Sequence, residues 1–431
     1  MSKKSRKLPP TFFHEPRLDI YYRPEMALVE DPTGNFSRSP SKPRRFMEHL
    51  AHTPVQSFVD VRDFAPLDND GFLTAHTPEY VEAFFAGRRP LAESNGLTWS
   101  PEFASSVRYT NGSLVAAVMG ALADPARIAL SPSSGFHHAR PHGGSNFCTF
   151  SGQVIAAVRA YREREACGAW IDLDGHFGNS IEDSRAHVPE LAKAIPRGCN
   201  LNPSGRGPDY LEDLGSGLEA IGRRVLAGEI HYIAFAHGAD SHLDDDLGGQ
   251  LDTYGWLAAS RLVYEAVAGW SRQLGRPVPV VLALFGGYRK DAPESVLELH
   301  VADTAIALAT LAGADVHYVP RVTRRGAPSW MDIEATIPAE VLEVVRARRV
   351  REAGFGAGPS CVGGMTVPYD PPAPLEEGLL FLEKWNSTMR IGSLWLDDGS
   401  TLFFQPHLGF RRYDPTPRAA PQPGVTVRTA P

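Results

Sequence analysis

Residues 169–179 read Ala169-Trp170-Ile171-Asp172-Leu173-Asp174-Gly175-His176-Phe177-Gly178-Asn179. A short apolar run opens the stretch, and acid, acid and imidazole then follow at every second position. On an extended strand, side chains two residues apart share a face, so Asp172, Asp174 and His176 leave the strand pointing the same way. Carboxylate oxygen with imidazole nitrogen suits zinc or another borderline divalent ion. Polar residues at strand ends are common, so the reading depends on what else the chain brings to the same place.

On either side of this stretch the chain keeps a rhythm. A helical run, Leu114 to Ala123, precedes a strand at Arg127 to Leu130. The helix Gln153 to Glu165 precedes the strand Ala169 to Leu173. Tyr210 to Leu226 carries Leu211, Leu214, Leu218, Ile221 and Val225 on one stripe and precedes His231 to Ala236. Tyr254 to Leu274 precedes Val278 to Leu284, and Ser295 to Leu311 precedes Val316 to Val319. Short apolar strands alternating with amphipathic helices imply βαβ units and a parallel sheet, and right-handed crossovers place helices on both faces. Upstream, Leu18 to Tyr22 reads as a first strand and Phe46 to Ala51 as a helix. Pro78 opens another helix through Phe85.

Beyond about residue 325 the rhythm stops. Ile337 to Val350 reads as a charged helix and Ala353 to Pro374 as a Gly- and Pro-rich loop. Leu375 to Trp385 reads as a further helix, and Ser393 to Gln405 as a hairpin around Asp397-Asp398-Gly399. The division expected is a disordered tail at 1–13, a catalytic domain at 14–325 and a C-terminal extension at 326–431 with a disordered end.

The 431 residues are 43% hydrophobic, enough for a sizeable core, and carry a formal charge of −7. Such a balance gives no electrostatic footprint for nucleic acid. No apolar run is read as spanning a membrane, and no signal-peptide core follows the N-terminal lysines. Four cysteines, Cys148, Cys167, Cys199 and Cys361, are widely spaced and form no CxxC pair. They read as reduced thiols of a cytoplasmic protein.

In open parallel sheets, ligands bind beyond the carboxyl ends of the strands. Leu130 is followed by Phe136-His137-His138-Ala139, and Ile171 by Asp172, Asp174 and His176. Phe235 is followed by His237-Gly238-Ala239-Asp240, and Leu284 by Phe285-Gly286-Gly287-Tyr288. Four strands thus deliver a histidine pair, a metal half-site, a further acid and a tyrosine to one edge, and together they make a much stronger case for a site than any one alone.

These residues resemble the zinc-dependent histone deacetylase family, which includes bacterial acetylpolyamine amidohydrolases and shares the three-layer arginase-like α/β fold. The matching stretches are Gly135-Phe136-His137-His138-Ala139, Asn146-Phe147-Cys148, Asp172 to Asn179, Gly238-Ala239-Asp240-Ser241-His242 with Asp244-Asp245, and Gly286-Gly287-Tyr288. They occur in the family's order, and the likeness spans roughly residues 14–325. Weaker similarity lies in Tyr21 to Met26, Lys42-Pro43-Arg44-Arg45 and His76 to Val81.

The resemblance implies a zinc ion on Asp174, His176 and Asp240, with open positions for water and a carbonyl oxygen. His138 would take the proton of the attacking water and return it to the leaving amine. His137 would orient the water, with Asp172 behind it. Asn179, where relatives carry Asp or Asn, would orient His138 without lending it a charge. Tyr288 would donate to the developing oxyanion, reaching the site because Gly286 and Gly287 let the backbone bend. Phe147 resembles one wall of an acyl-lysine tunnel, with Gly286 and Gly287 on the same path. Asp172 and the backbone around Asp174 and His176 resemble a structural potassium site. Phe177 replaces a second histidine of many relatives, and Asn146 replaces a tunnel glycine. The stretch Ile181 to Asp209 does not match, so the opposite wall falls to Asn202-Pro203 or Leu201. The rim aspartate of histone-type enzymes is not identifiable near Asn95 to Pro101.

The activity implied is hydrolysis of an acetyl amide on acetyl-lysine or on a small acetylpolyamine. The expected partner is that acylated substrate, with a second copy of the chain as a further candidate and with no nucleic acid and no membrane. Two other readings stand beside it, an arginase-type binuclear manganese ureohydrolase and a catalytically silent acyl-lysine binding module. The first needs more aspartates and histidines at the strand ends; the second fits a chain lacking Tyr288 or His138. Asp244-Asp245-Asp246 reads as a capping or solvated acidic turn, His242 as a structural hydrogen-bonder, and Cys148 as a buried neighbour of the site.

Overall fold

Seven short strands carry the first part of the protein. They are β1 (Leu18–Tyr21), β2 (Val59–Arg62), β3 (Ile128–Ser131), β4 (Gly168–Asp172), β5 (Asn200–Leu201), β6 (Tyr232–Ala236) and β7 (Val280–Ala283). The computed structural model describes residues 17–28, 35, 37–323, 325, 347–355, 366–375, 377–379, 392–405 and 409–413. The chain divides into two units, residues 1–322 and 323–431.

The strands of the first unit lie in the order β2-β1-β3-β7-β6-β4-β5, and every pairing is parallel. β3, β4, β6 and β7 are buried throughout, as near-continuous apolar runs in a covered parallel sheet should be. These four are neighbours in the sheet, and their carboxyl ends are level. Asp172 pairs with Ala236, Ala236 with Ala283, and Ala283 with Ser131. Whatever follows each strand therefore emerges on one edge, and this register positions the site.

Helices surround the sheet. Pro101–Ala123 packs on β1, β3 and β7 and beside Gly152–Arg164. Pro208–Leu226, Thr253–Leu274 and Glu294–Ala312 pack side by side. Their ends follow local chemistry. Ser100 accepts from the Phe103 N–H and Asp252 from the Gly255 N–H, capping two of the long helices. On the amphipathic helix, Leu214, Leu218, Ile221 and Val225 are buried as the stripe requires, while Leu211 at its start is only half-buried.

Several expectations need correction. The helix expected at 114–123 begins more than three turns earlier, at Pro101. Val316–Val319 is not a strand, and β2 and the two-residue β5 are strands that the periodicity does not announce. Glu294–Ala312 is long and apolar enough to cross a membrane, contrary to the absence of such a run expected above. Yet 83% of its most apolar window is buried inside the protein, as befits a core helix.

The second unit holds an antiparallel sheet of β8 (Arg349–Phe355), β9 (Thr366–Pro374), β10 (Gly392–Leu396), β11 (Thr401–Gln405) and β12 (Gly409–Tyr413), in the order β12-β11-β10-β8-β9. The β10–β11 hairpin turns at Asp397-Asp398-Gly399, with Gly399 at φ 84°. The loop expected at 353–374 instead contributes the end of β8 and all of β9. Most of the helix expected at 337–350, much of that at 375–385 and both terminal tails lie outside the described residues.

Candidate active site

The loop after β3 carries His137 and His138, both buried. His137 Nδ1 lies 2.9 Å from Asp172 Oδ2, at the last position of β4. His138 Nδ1 lies 2.8 Å from Asn179 Oδ1. The two imidazoles sit side by side, ring centroids 4.1 Å apart, one backed by the last residue of β4 and the other by the segment that follows it.

Two residues past Asp172, the chain presents Asp174 and then His176. Asp240 arrives from the loop after β6. His176 Nδ1 is 3.1 Å from Asp174 Oδ1 and 3.0 Å from Asp240 Oδ2. One ligand atom from each of the three lies within 4.8 Å of the others. Asp240 is fully enclosed and Asp174 nearly so. The other carboxylate oxygens are held from behind: Asp240 Oδ1 accepts the Gly175 N–H at 2.9 Å, and Asp174 Oδ2 the Gly286 N–H at 2.8 Å.

The charges of this cluster do not balance by themselves. Burial and the neighbouring Asp174 push the Asp240 carboxyl up to about 7. Burial also works against the Asp174 carboxylate, but His137 and His176 outweigh it and hold it well below the ordinary range. Hydrogen bonds to both carboxylates push His176 up to about 10 against the pull of burial. Two buried carboxylates thus draw a proton onto the imidazole between them, which is the place a divalent cation would take. An O, N, O donor set of this kind fits zinc. Among the described residues it is the sole three-residue group of this kind.

The second imidazole pair is split. Burial lowers His137, but Asp174 and Asp172 more than reverse it and push it up to about 9. Burial and the adjacent His137 push His138 down to about 4. The two neighbouring imidazoles are thus pushed in opposite directions.

The loop after β7 brings Gly286, Gly287 and Tyr288. A Cβ on Gly286 would sit 2.4 Å from the Asp240 carboxylate, and Gly287 adopts φ +132°. No other residue type meets both demands without strain. Tyr288 lies with its ring centroid 6.2 Å from that of His176 and 5.6 Å from that of Phe147. Burial, followed by Asp174 and Asp240, raises its hydroxyl well above the ordinary range, so it stays a donor.

A family model described as a histone deacetylase domain matches residues 37–192. This span includes the histidine pair, Asp172, Asp174, His176 and Asn179. The crystal structure of an HDA15 HD domain shares the fold, with a TM-score of 0.54 over 70% of this chain and 90% of that one at 17% identity. Residues 37–192 are thus similar to a histone deacetylase domain, and the fold is one that the HDA15 domain shares. No curated protein sequence matches the chain. The family-model match supports a deacetylase-type amidohydrolase in general.

Within this site, three features escaped the sequence reading. The acidic run caps no helix, and only Asp246 in it meets solvent. Asp244 and Asp245 are buried. Asp245 accepts the Tyr288 N–H at 2.8 Å, and Asp246 the Lys290 N–H at 2.9 Å, so the run moors the tyrosine loop. Lys42 is fully enclosed, and its Nζ donates to the carbonyls of Phe285 and, at 2.9 Å, Gly286. Burial pulls its pKa down to about 8, opposed by Asp240 and Asp174. Its only signal was the weak Lys42-Pro43-Arg44-Arg45 likeness. The opposite tunnel wall was left to Asn202-Pro203 or Leu201; Asn202 Oδ1 accepts the Gly178 N–H at 2.7 Å, and Leu201 packs against Gly217 of the helix Pro208–Leu226.

Other residues fall into place beside the site. Cys148 is buried, and burial raises its thiol well above the usual range. His242 Nε2 is 2.9 Å from Thr253 Oγ1. Phe177, next to His176, is 64% exposed and stands at the surface.

Proposed function

We propose that the protein is a zinc-dependent amidohydrolase that removes the acetyl group from an N-acetylated amine, either acetyl-lysine or a small acetylpolyamine. The observation that carries the reading is the convergence of Asp174, His176 and Asp240 within 4.8 Å, flanked by a split histidine pair and Tyr288. When bound on these three residues, zinc polarises the amide carbonyl and lowers the pKa of water.

The remaining work falls to the chain's own groups. His138 is neutral and takes a proton from the attacking water as its oxygen bonds to the carbonyl carbon. Tyr288 donates a hydrogen bond to the oxygen that gains charge. His137, backed by Asp172, orients the water and steadies the same charge. The C–N bond breaks as His138 returns its proton to the departing nitrogen. Acetate and a free amine result. Phe147 flanks the acyl path beside Tyr288. Asp172, with the backbone around Asp174 and His176, also offers a structural potassium site. The free thiols of Cys148, Cys167 and Cys199 suit a reducing compartment, and we place the protein in the cytoplasm.

The test is acetate release from an acetyl-lysine peptide and from acetylputrescine, run side by side with metal analysis. About one zinc per chain with turnover of either substrate supports the reading. Two tightly bound manganese ions with urea release from a guanidino substrate would replace it with the binuclear alternative.

A further inference from the structure

Asn179 leaves a question that its own chemistry does not answer. A side-chain amide has an acceptor end and a donor end, and His138 Nδ1 meets only one of them. If the carbonyl end faces the ring, Nδ1 must carry the proton and Nε2 is bare, ready to accept a proton from water. If the amide turns over, its NH2 donates to a bare Nδ1, and the proton moves to Nε2, where the ring cannot act as a base. An aspartate at this position would have no such ambiguity, because a carboxylate only accepts.

Asn179 stands at the N-cap of the short helix Ser180–Ser184, yet its side chain makes no capping bond. Its oxygen is spent on His138 at 2.8 Å, and its Nδ2 donates to Asp183 Oδ2 at 2.6 Å. Asp183 lies one turn along the same helix, with its N–H bonded to the Asn179 carbonyl at 2.9 Å. That spacing brings the two side chains together. The Asp183 carboxylate is aimed in turn by Arg140 Nε at 3.4 Å, from the loop that carries His138. Asp183 opens on a shallow surface cavity that it lines with Arg140, His142 and His187, so it stays in contact with water.

We propose that Asp183 is a positioning residue that fixes the proton of His138 on Nδ1, acting through the amide of Asn179. An acceptor-only group at Asp183 admits only the NH2 end of Asn179. The carbonyl end must then face His138, and Nε2 is left bare. The exposed ion pair with Arg140 adds little stability of its own; its part is to aim the carboxylate. The orientation needs an acceptor at 183: in Asp183→Asn the Arg140 Nε donor holds the carbonyl end toward Asn179 and keeps one there, whereas Asp183→Ala removes it. The inference rests on the general-base role proposed for His138, but its first readout does not depend on turnover.

That readout is the two-bond proton–nitrogen spectrum of histidine-labelled, zinc-loaded protein, with the His138 signals identified by their loss in His138→Gln. The wild type and Asp183→Asn should show the Nδ1-protonated form, and Asp183→Ala a mixture with the Nε2-protonated form. An unchanged Nδ1-protonated form in Asp183→Ala would overturn the proposal, whether or not the protein deacetylates anything. The second readout is kinetic. Asp183→Ala should lower kcat about tenfold with KM little changed, as lost outer-shell support does. In an Asn179→Asp background, the same substitution should change kcat by less than about twofold, because the coupling partner is gone. An equal loss in both backgrounds would make Asp183 a general structural residue and contradict the assignment.

Discussion

Asp245 Oδ2 accepts the backbone N–H of Tyr288 at 2.8 Å, while its Oδ1 accepts the Leu247 N–H at 3.0 Å. A carboxylate on the loop after β6 thus fixes the tyrosine on the loop after β7, with Asp240 and Gly286 packed between the same two loops. Asp245→Ala leaves a buried N–H without its acceptor, a loss of about 1–3 kcal/mol. Denaturant unfolding should register that loss. With Tyr288 no longer held, kcat should fall about tenfold at unchanged zinc content; full activity would detach the acidic run from the site.

Tyr288→Phe removes one hydroxyl and nothing else. Loss of a single oxyanion donor should lower kcat by roughly a hundredfold or more. Zinc content and thermal stability should remain those of the wild type. Unchanged turnover would take Tyr288 out of the mechanism.

The buried carboxylates of Asp174 and Asp240 oppose each other unless a cation lies between them. Zinc should therefore stabilise the folded protein. At a free concentration a hundredfold above its Kd the gain is about 2.7 kcal/mol, visible as a higher Tm that a chelator reverses. Asp240→Asn should abolish the zinc-dependent shift; a shift of wild-type size would place the metal elsewhere.

Away from the site, Glu298 ties the core helix Glu294–Ala312 to the segment that follows it. It accepts from Tyr318 at 2.6 Å and from the Arg321 N–H at 2.8 Å, and lies 3.2 Å from His49 Nε2. Burial opposes its charge, but these hydrogen bonds outweigh it and hold the carboxyl below the ordinary range. A carboxylate lowered in the folded state stabilises above its unfolded pKa of about 4.3 and loses that contribution as pH falls through the folded value. Glu298→Gln should therefore be less stable than wild type at neutral pH, with the difference shrinking in acid. A difference that grew on acidification would reverse the sign of the argument.

Much of the site was legible because chemistry and register coincide. β3, β4, β6 and β7 are short apolar runs between amphipathic helices, and each ends where a polar residue would otherwise enter the core. Reading past those ends located His137, His138, Asp174, His176, Asp240 and Tyr288. Lys42 and Asp245 were not legible, because each is defined by a backbone group it meets only after folding. Lys42 serves carbonyls more than two hundred residues away, at Phe285 and Gly286. The second unit misled for a different reason. β9 contains Pro368, Pro371, Pro372 and Pro374, which argue against a strand, but it lies at the sheet edge, where missing N–H donors are tolerated. β5 spans only two residues, too short to leave a pattern.

The central claim is tested most directly by acetate release from protein loaded with one equivalent of zinc, using an acetyl-lysine peptide and acetylputrescine in parallel. The account predicts release from at least one of them, lost on chelation and nearly absent in folded, zinc-loaded His138→Ala. No acetate from either substrate with zinc bound at Asp174, His176 and Asp240, or full activity in His138→Ala, would contradict it.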